Sequence, residues 1–437
     1  MKIAVVGLWH QGVVGAACLV EMGHDVVGAD ANLDVVAQLN AGRAPLFEPG
    51  LDELLRKSIG SGRLAFINDV AEAVRGASHV FVMFDIPVDE NDESDLTEIF
   101  RTFEAMAPNL EQAAVILVTA QVPVGTCDRL ADILQAALPK RAPPIAYMPE
   151  NLRLGQAIER FVAPVLPVVG CDDPATFQAL MEVMQPLARE WHHVSLRTGE
   201  MMKHALNGFL ALSVCFANEL GNICDAVGAD GKRMGELLRL EPRVGTKAML
   251  LPGLGFAGGT LARDMQTLRH LGDRFDLDTP LLDGAWRSNA EQNRLVLRKL
   301  SGAFGILRGV RVTVLGLTYK ADTSTLRRSA AMEVISDLAK AGAIVTAHDP
   351  KADRGELERT SGFTFCSDPL AATDNADALV LMTPWSEYRE LDFDAVKTRM
   401  NRCYVLDTAG LWNSDVLTSH GFMYDDIGRG RKIGSKS

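Results

Sequence analysis

Short apolar runs alternate with helix-like segments in both halves of the chain, and this alternation constrains the fold more than any other feature. In the first half the runs are KIAVVG, DVVGAD, HVFVMF, AVILVTA and IAYMP, which are typical of strands buried in a parallel sheet. VLPVVG and HHVSL extend the predicted sheet to about residue 196. Because strands and helices alternate, we predict an α/β fold that opens with a doubly wound, Rossmann-like domain.

The same alternation resumes near residue 309, with VRVTVLGL, AIVTAHD, FTFC, ALVLMT and CYVLDT. Between the two regions, residues 199–228 form one helix-like segment that is too long for a connecting loop. We therefore predict two Rossmann-like doubly wound domains joined by a long central helix. Long apolar helices often pair subunits, so a homodimer is expected. The predicted segments are an N-terminal Rossmann domain (1–196), a central helical segment (197–300) and a C-terminal Rossmann-like domain (301–437).

The turn after the first predicted strand reads GLWHQG and departs from the dinucleotide-binding fingerprint G-x-G-x-x-G. Gly7 and Gly12 hold the outer glycine positions, but Trp9 holds the middle one, where glycine normally lets the backbone approach a pyrophosphate. Asp30 ends the second strand, where an acidic residue binds the adenosine ribose and repels a 2′-phosphate. We predict that binding of NAD, in preference to NADP, is retained, because the amides of the helix N-terminus remain.

Charge and cysteine content exclude several classes of protein. The net charge of -12 argues against non-specific nucleic-acid binding, because surfaces that follow phosphates need an excess of Lys and Arg. No run of eighteen uncharged apolar residues occurs, so no membrane span is expected. The seven cysteines show no CxxC spacing, which indicates free thiols in a cytoplasmic protein rather than disulfides or a metal site.

Ten short motifs occur in a fixed order along nearly the whole chain. They are PLFEPGLDELL, FDIPVDENDESDL, VPVGT, PENLRLGQAI, KHALNGFLA, PRVG, GLGFAGGTLARD, LGLTYKADTSTLRRS, HDP and TPWSEY. In this order they resemble the motifs of the UDP-glucose/GDP-mannose dehydrogenase family. The resemblance implies that NAD oxidises the C6 alcohol of a nucleotide sugar to the carboxylate, and that a cysteine captures the aldehyde intermediate as a thiohemiacetal.

The resemblance assigns catalytic roles to Lys203, Asn207 and Asp264, which match the family's polar cluster around the reacting oxygen. Lys203 and Asn207 are four residues apart and therefore share one face of the predicted helix. A lysine beside an aspartate can relay the alcohol proton through water or stabilise the developing alkoxide. Glu150 and Leu152, in PENLRLG, match the family loop that supports the catalytic water and contacts the sugar.

The resemblance also implies which residues bind the ligands. Lys320 and Arg327 flank the second glycine turn and suit the phosphates of the substrate or the cofactor. Arg243 matches a family arginine that reaches the substrate site of the neighbouring subunit, and Phe256 is expected to pack near the nucleobase. The remaining predicted contacts are Gly258 for the substrate, and Pro87 and Gln121 for the cofactor.

Two residues depart from the family pattern. The family's active-site loop reads approximately G-x-G-F-G-G-S-C-F-P-K-D, and Thr260 takes the place of its nucleophilic cysteine. We expect the Thr260 hydroxyl to cap a backbone amide, because a thiolate forms far more readily than an alkoxide at neutral pH and no activating base is evident. Gln121 takes the place of the family's threonine near the hydrolytic water.

These departures favour an NAD-dependent oxidoreductase that removes one hydride from a nucleotide-linked sugar and stops at a carbonyl, either a C6 aldehyde or a ring ketone. A first alternative keeps the four-electron oxidation to the uronic acid, through an aldehyde hydrate. A second alternative is a non-catalytic protein that binds a nucleotide sugar or NAD. Lys203, Asn207 and Asp264 argue against the second alternative, whereas Trp9 and Thr260 favour it.

Overall fold

A computed structural model describes residues 1–89, 93–150, 152–257 and 259–429 of the 437-residue chain. Contacts divide the chain into two compact units, Met1–Leu206 and a second unit that begins at Asn207. Each unit contains one largely parallel sheet with helices around it, so the predicted pair of Rossmann-like domains with a long central helix is confirmed. The finer division into segments 1–196, 197–300 and 301–437 stays a prediction.

Eight strands form the sheet of the first unit, and side chains of successive residues pack on opposite faces, as the pleat requires. The strands are β1 (Lys2–Val6), β2 (Asp25–Ala29), β3 (Leu64–Ile67), β4 (His79–Val82), β5 (Val115–Val118), β6 (Ile145–Tyr147), β7 (Val168–Gly170) and β8 (His192–Val194). Their order is β3-β2-β1-β4-β5-β6-β7-β8, and only the β6–β7 pair is antiparallel. The order reverses between β1 and β4, and ligands of such sheets bind in the crevice at that point.

The helices of the first unit cover both faces of this sheet. They are α1 (His10–Glu21), α2 (Leu33–Asn40), α3 (Leu51–Gly60), α4 (Val70–Ala73), α5 (Thr97–Met106), α6 (Thr126–Ala137), α7 (Ala157–Val162) and α8 (Pro174–Met184). Asn32, Asp69 and Asp173 begin α2, α4 and α8, because their side chains accept hydrogen bonds from amides of the first turn.

The second unit repeats the strand order of the first. Its strands are β9 (Arg311–Leu315), β10 (Ile344–His348), β11 (Thr364–Phe365), β12 (Ala378–Leu381), β13 (Tyr404–Asp407) and β14 (Met423–Asp426). They are arranged β11-β10-β9-β12-β13-β14, all parallel, which is the order of the first six strands of the first sheet. The alternation of strands and helices that resumes near residue 309 therefore corresponds to a repeated fold.

The remaining helices follow the first sheet. They are α9 (Leu196–Val227), α10 (Gly231–Leu238), α11 (Thr260–Arg274), α12 (Pro280–Asn293), α13 (Leu295–Phe304), α14 (Ala330–Lys340), α15 (Arg354–Glu358), α16 (Phe393–Arg399) and α17 (Ser414–Ser419). Short 3₁₀ turns lie at Ala107–Asn109, Gln185–Leu187, Ala371–Thr373 and Ser386–Glu390.

The central helix α9 has 32 residues and contributes to both units. It begins three residues before the predicted start, after Ser195, whose Oγ accepts a hydrogen bond from the N–H of Thr198 at 3.3 Å. By length and composition alone α9 is apolar enough to cross a membrane, and 33% of its most apolar window is buried. Three of its buried polar side chains, Glu200, Lys203 and Asn218, bond to other parts of their own unit. The expected lack of a membrane partner stays a prediction.

Candidate active site

The turn between β1 and α1 requires glycine at two positions. Gly7 has a φ of 93°, and a Cβ there would lie 3.1 Å from the backbone of Met83. A Cβ on Gly12 would lie 1.8 Å from the carbonyl oxygen of Gly7, so α1 can approach the turn only without a side chain at this position. Gly7 and Gly12 therefore act as the fingerprint requires.

Trp9 occupies the middle position of the fingerprint without backbone strain. Its φ of -92° and ψ of -150° are extended values that any residue adopts. It immediately precedes α1, and its side chain is 42% exposed. The turn therefore accommodates the indole on its solvent-exposed side, and the backbone amides of the first turn of α1 remain available to an anion.

Asp30 lies at the carboxyl end of β2 with its carboxylate directed at the glycine turn. Its Oδ2 accepts a hydrogen bond from the N–H of Leu8 at 2.8 Å, and its Oδ1 accepts one from Asn32 at 2.9 Å. Asp30 borders a cleft of about 500 Å³, whose other lining residues are Gly7, Leu8, Trp9, Ala31, Asn32, Phe84, Asp85 and Glu98. Three carboxylates in this lining disfavour a 2′-phosphate.

A pocket of about 200 Å³ also borders Asp30, and its lining adds one cation, Arg101, to the mainly apolar residues Val6, Ala29, Asn68, Val70, Thr102 and Ala105. The glycine cradle, the helix N-terminus, the acidic strand end and the adjoining pocket together fit a dinucleotide. Pro87 and Gln121 do not line the cleft or the pocket: Pro87 is exposed and accepts a hydrogen bond from Asp95, and Gln121 is half-buried beyond β5.

The first unit brings Glu150, Leu152 and Lys203 together. Lys203, in α9, is only 8% exposed, and its Nζ donates a 2.5 Å hydrogen bond to the carbonyl oxygen of Glu150. The same Nζ lies 3.9 Å from Oε2 of Glu150, and Oε1 accepts the N–H of Leu152. Burial raises the pKa of the Glu150 carboxyl, while the charge of Lys203 opposes this rise. The pair therefore suits proton transfer.

The second unit brings Asn207 and Asp264 together. Both are buried, and Nδ2 of Asn207, in α9, donates to Oδ2 of Asp264, in α11. Asn207 follows Lys203 by one turn of the same helix. A fully buried carboxylate that is held by a side-chain amide keeps a fixed orientation, as a positioned acid–base group requires.

The loop before α11 is held by side-chain amides of α9 and α12. Phe256, in this loop, packs against the small apolar cluster between α9, α11 and α12. Gly258 lies outside the described residues. The bonds run from the N–H of Gly253 to Asn218 (2.8 Å), of Gly255 to Asn293 (3.1 Å) and of Phe256 to Asn289 (2.6 Å), and from Gln292 to the oxygen of Gly253 (2.6 Å).

Thr260 is the exposed first residue of α11, directly after this clamped loop. Gly259 precedes the helix, and no side chain caps it. Among the described residues the Thr260 hydroxyl has no hydrogen-bond partner, so the expected capping bond is not formed there. We expected the hydroxyl to cap a backbone amide because threonine often occupies the residue that precedes a helix. Here Gly259 occupies that position, and Thr260 is already the first residue of α11.

The predicted phosphate-binding cations are on the surface of the second unit. Lys320 and Arg327 are exposed on the segment that follows the glycine turn at Gly316, and Lys320 Nζ lies 5.5 Å from the ring centre of Tyr319. Arg243 is also exposed, and its Nε donates to Glu241 at 2.8 Å. These positions leave the three charges accessible to an anionic ligand.

Sequence profiles of one family match the chain over three ranges. They are described as the NAD binding domain (residues 1–188), the central domain (197–291) and the UDP binding domain (313–414) of the UDP-glucose/GDP-mannose dehydrogenase family. The chain belongs to this family. A UDP-glucose 6-dehydrogenase of Rhizobium meliloti (strain 1021) is 34% identical over 436 residues, which cover 98% of this chain and 100% of the relative.

Two further relatives of this dehydrogenase span most of the chain. The UDP-glucose 6-dehydrogenase AglM of Haloferax volcanii is 34% identical over 414 residues, covering 92% of this chain and 95% of the relative. The solved structure of a UDP-glucose dehydrogenase from Pyrobaculum islandicum superposes with a TM-score of 0.85 at 29% identity, covering 98% of each chain. The predictions of an NAD-dependent dehydrogenase and of NAD as its cofactor are confirmed by this membership.

Sequence reasoning missed several polar residues that hold the site of this dehydrogenase together. Glu48 is buried and joins α1 to the loop of Glu150, and Gln11 bonds to the ends of β4 and β5. The amides that clamp the loop before α11 were missed as well. The sequence did contain one signal for these residues: a polar residue within an otherwise apolar stretch, such as Gln11 in the first turn of α1, indicates a buried hydrogen bond.

Proposed function

We propose that the chain oxidises an alcohol of a nucleotide sugar, of the kind that the UDP-glucose dehydrogenases act on, with NAD as the hydride acceptor. The observation that carries the proposal is the contact between the buried Lys203 and the partly buried Glu150, whose side chain is 24% exposed. The match to the family's UDP binding domain supports a nucleotide-linked substrate, and the buried Asn207–Asp264 pair supports a catalytic rather than a purely binding role.

In this proposal the residues of the chain handle the proton while bound NAD supplies the hydride acceptor. The alcohol loses its hydroxyl proton to Glu150, because a partly buried carboxylate with a raised pKa is a stronger base than a fully exposed one. The ammonium of Lys203 stabilises the alkoxide as it forms. The hydride leaves from the carbon, so each turnover gives one carbonyl, one NADH and one proton.

We propose further that the reaction stops after this first oxidation. The family's nucleophilic cysteine is matched here by Thr260, whose hydroxyl is exposed and has no basic partner among the described residues. An alkanol is a far weaker nucleophile than a thiolate at neutral pH, so a covalent hemiacetal is not expected to form. Gln121, in place of the family's threonine, supports the same conclusion for the handling of water.

The decisive experiment counts products. The enzyme is incubated with NAD and a panel of UDP- and GDP-linked sugars, and NADH is measured together with the product mass. We expect one NADH per sugar consumed and a carbonyl product. Two NADH and a uronic acid would instead show the four-electron oxidation through a hydrate, and binding without NADH across the panel would show a non-catalytic protein.

Replacing Thr260 with alanine is expected to leave most of the first oxidation intact. The change removes at most one hydrogen bond of about 0.5–1.5 kcal/mol, which corresponds to roughly a tenfold change in rate or less. Intact-protein mass spectrometry during turnover should find no covalent sugar adduct on the wild-type chain. An adduct that disappears in Thr260→Ala would make Thr260 a replacement nucleophile, and Thr260→Cys combined with Gln121→Thr is the matched attempt to restore acid formation.

We propose that the chain forms a homodimer through α9. Phe209, Phe216 and Ile223 are spaced by seven residues on one face of α9, and each is more than half exposed. Leu281 of α12 is similarly exposed beside a groove of about 760 Å³ that Phe216 also lines. An apolar stripe of this kind is typical of a subunit interface.

Replacing Phe216 with glutamate is expected to convert the dimer into monomers, because a buried charge in an apolar interface has no partner. Light scattering after size-exclusion chromatography gives the mass. Ile306→Glu, at a side chain that is 83% exposed in the same unit, is the matched control and should not change the mass. A dimer that survives Phe216→Glu would place the interface elsewhere.

A further inference from the structure

The first turn of α1 carries a histidine that bonds to a buried carboxylate from a distant segment. His10 is the first residue of α1, and its Nε2 lies 3.1 Å from Oε2 of Glu48. The side chain of Glu48 is only 1% exposed. A carboxylate offers only acceptors, so the imidazole Nε2 is the donor of this bond.

Glu48 bonds at the same time to the end of the loop that carries Glu150. Its Oε2 accepts the N–H of Gly155 at 2.9 Å, and its Oε1 accepts the N–H of Ala157, which opens α7, at 2.8 Å. One buried carboxylate therefore connects the helix start at the cofactor cleft with the segment 152–157. Hydrogen bonds to a charged acceptor are stronger than neutral ones, so this connection is stiff.

Gln11 fixes the same turn from the other side. Its Nε2 donates to the carbonyl oxygen of Phe84 at 2.9 Å, and its Oε1 accepts the hydroxyl of Thr119 at 2.8 Å. Phe84 and Thr119 follow β4 and β5. Because Gln11 is held at both ends of its amide, the first turn of α1 has little freedom to absorb a displacement of His10.

We propose that His10 and Glu48 couple binding of the cofactor pyrophosphate to the position of the loop that carries Glu150. An anion at the start of α1 binds the free amides of the first turn, and the amide of His10 is one of them. Fixing this backbone fixes the imidazole, the imidazole fixes Glu48, and Glu48 holds the amides of Gly155 and Ala157. Both are positioning residues, because neither is placed at the reacting atoms.

Hydrogen exchange of the peptide that covers residues 152–162 tests the coupling without requiring turnover. In the wild-type protein, NAD should slow exchange at Gly155 and Ala157 by about tenfold, because it secures hydrogen bonds to a charged acceptor. His10→Leu should still bind NAD in calorimetry, and the added protection should be lost. His10→Gln places an amide donor near the position of Nε2 and should keep the protection.

Kinetics gives a second measurement. We expect His10→Leu to lower kcat by about tenfold while the KM for NAD changes less than about threefold, and His10→Gln to restore most of kcat. If His10→Leu does not fold, Glu48→Gln replaces it. A glutamine has one acceptor oxygen, so its NH2 group must face either His10 and Gly155 or Ala157, and the NAD-dependent protection should be reduced.

Two results would overturn the coupling. In the first, NAD does not change hydrogen exchange at residues 152–157 of the wild-type protein. In the second, the folded His10→Leu variant, or Glu48→Gln in its place, shows the same NAD-dependent protection as the wild type. Because exchange is measured without a sugar substrate, a failure of the proposed oxidation would leave this readout intact. The two hypotheses can therefore fail separately.

Discussion

Replacing Lys203 with alanine is expected to lower kcat by two to four orders of magnitude. The change removes the ammonium that stabilises the alkoxide. Such electrostatic groups lower the activation barrier by about 3–5 kcal/mol. The affinity for the nucleotide sugar should change little, because Lys320 and Arg327 are assigned to its phosphates. Steady-state kinetics with NAD and the sugar that proves active in the panel measures both quantities.

The pH profile separates this chemical role of Lys203 from a structural one. Burial raises the pKa of the Glu150 carboxyl and the charge of Lys203 opposes the rise, so the loss of Lys203 moves this pKa further up. If Glu150 acts as the base, the acid limb of the residual kcat/KM profile must move to higher pH. Lys57→Ala is the control: it removes an exposed lysine that pairs with Glu21, and it should change neither kcat nor the acid limb of the pH profile. Normal turnover of Lys203→Ala would contradict the assigned chemistry.

Replacing Gly12 with alanine is expected to abolish measurable NAD binding and to destabilise the first unit by about 2–5 kcal/mol. The added Cβ would lie 1.8 Å from the carbonyl oxygen of Gly7, which belongs to the backbone and cannot rotate away. Either α1 moves off the turn, which removes the pyrophosphate site, or the turn itself unfolds. Calorimetric titration with NAD and thermal unfolding measure the two effects.

Two controls isolate the steric cause. Gly60→Ala makes the same change at the end of α3, where no atom lies within 4 Å of the added Cβ, and it should be neutral or slightly stabilising. Trp9→Gly restores the fingerprint and should keep NAD binding, because the indole is exposed and the backbone there is extended. Tight NAD binding by Gly12→Ala would show that the turn is not the pyrophosphate site.

The sequence by itself determined the fold and the local geometry of the glycine turn. Buried parallel strands need continuous apolar runs and short turns, so KIAVVG and its repeat RVTVLGL identified two doubly wound sheets before their pairing was known. The need for glycine at positions 7 and 12 and the place of Asp30 at the end of β2 were also predictable, because the local geometry of a strand, a tight turn and a helix fixes what each position can hold. Their roles in binding NAD stay predictions. The start of α9 was predicted only to within three residues.

Only the tertiary structure decided which distant polar groups meet. Glu48 bonds to residues that are 38, 107 and 109 positions away, and no local pattern records such separations. The same holds for the amides that clamp the loop before α11, and for Thr260, whose hydroxyl lacks the capping bond that its residue type led us to expect. Local periodicity follows from backbone sterics, which act within a few residues, whereas a buried hydrogen bond depends on how whole elements pack.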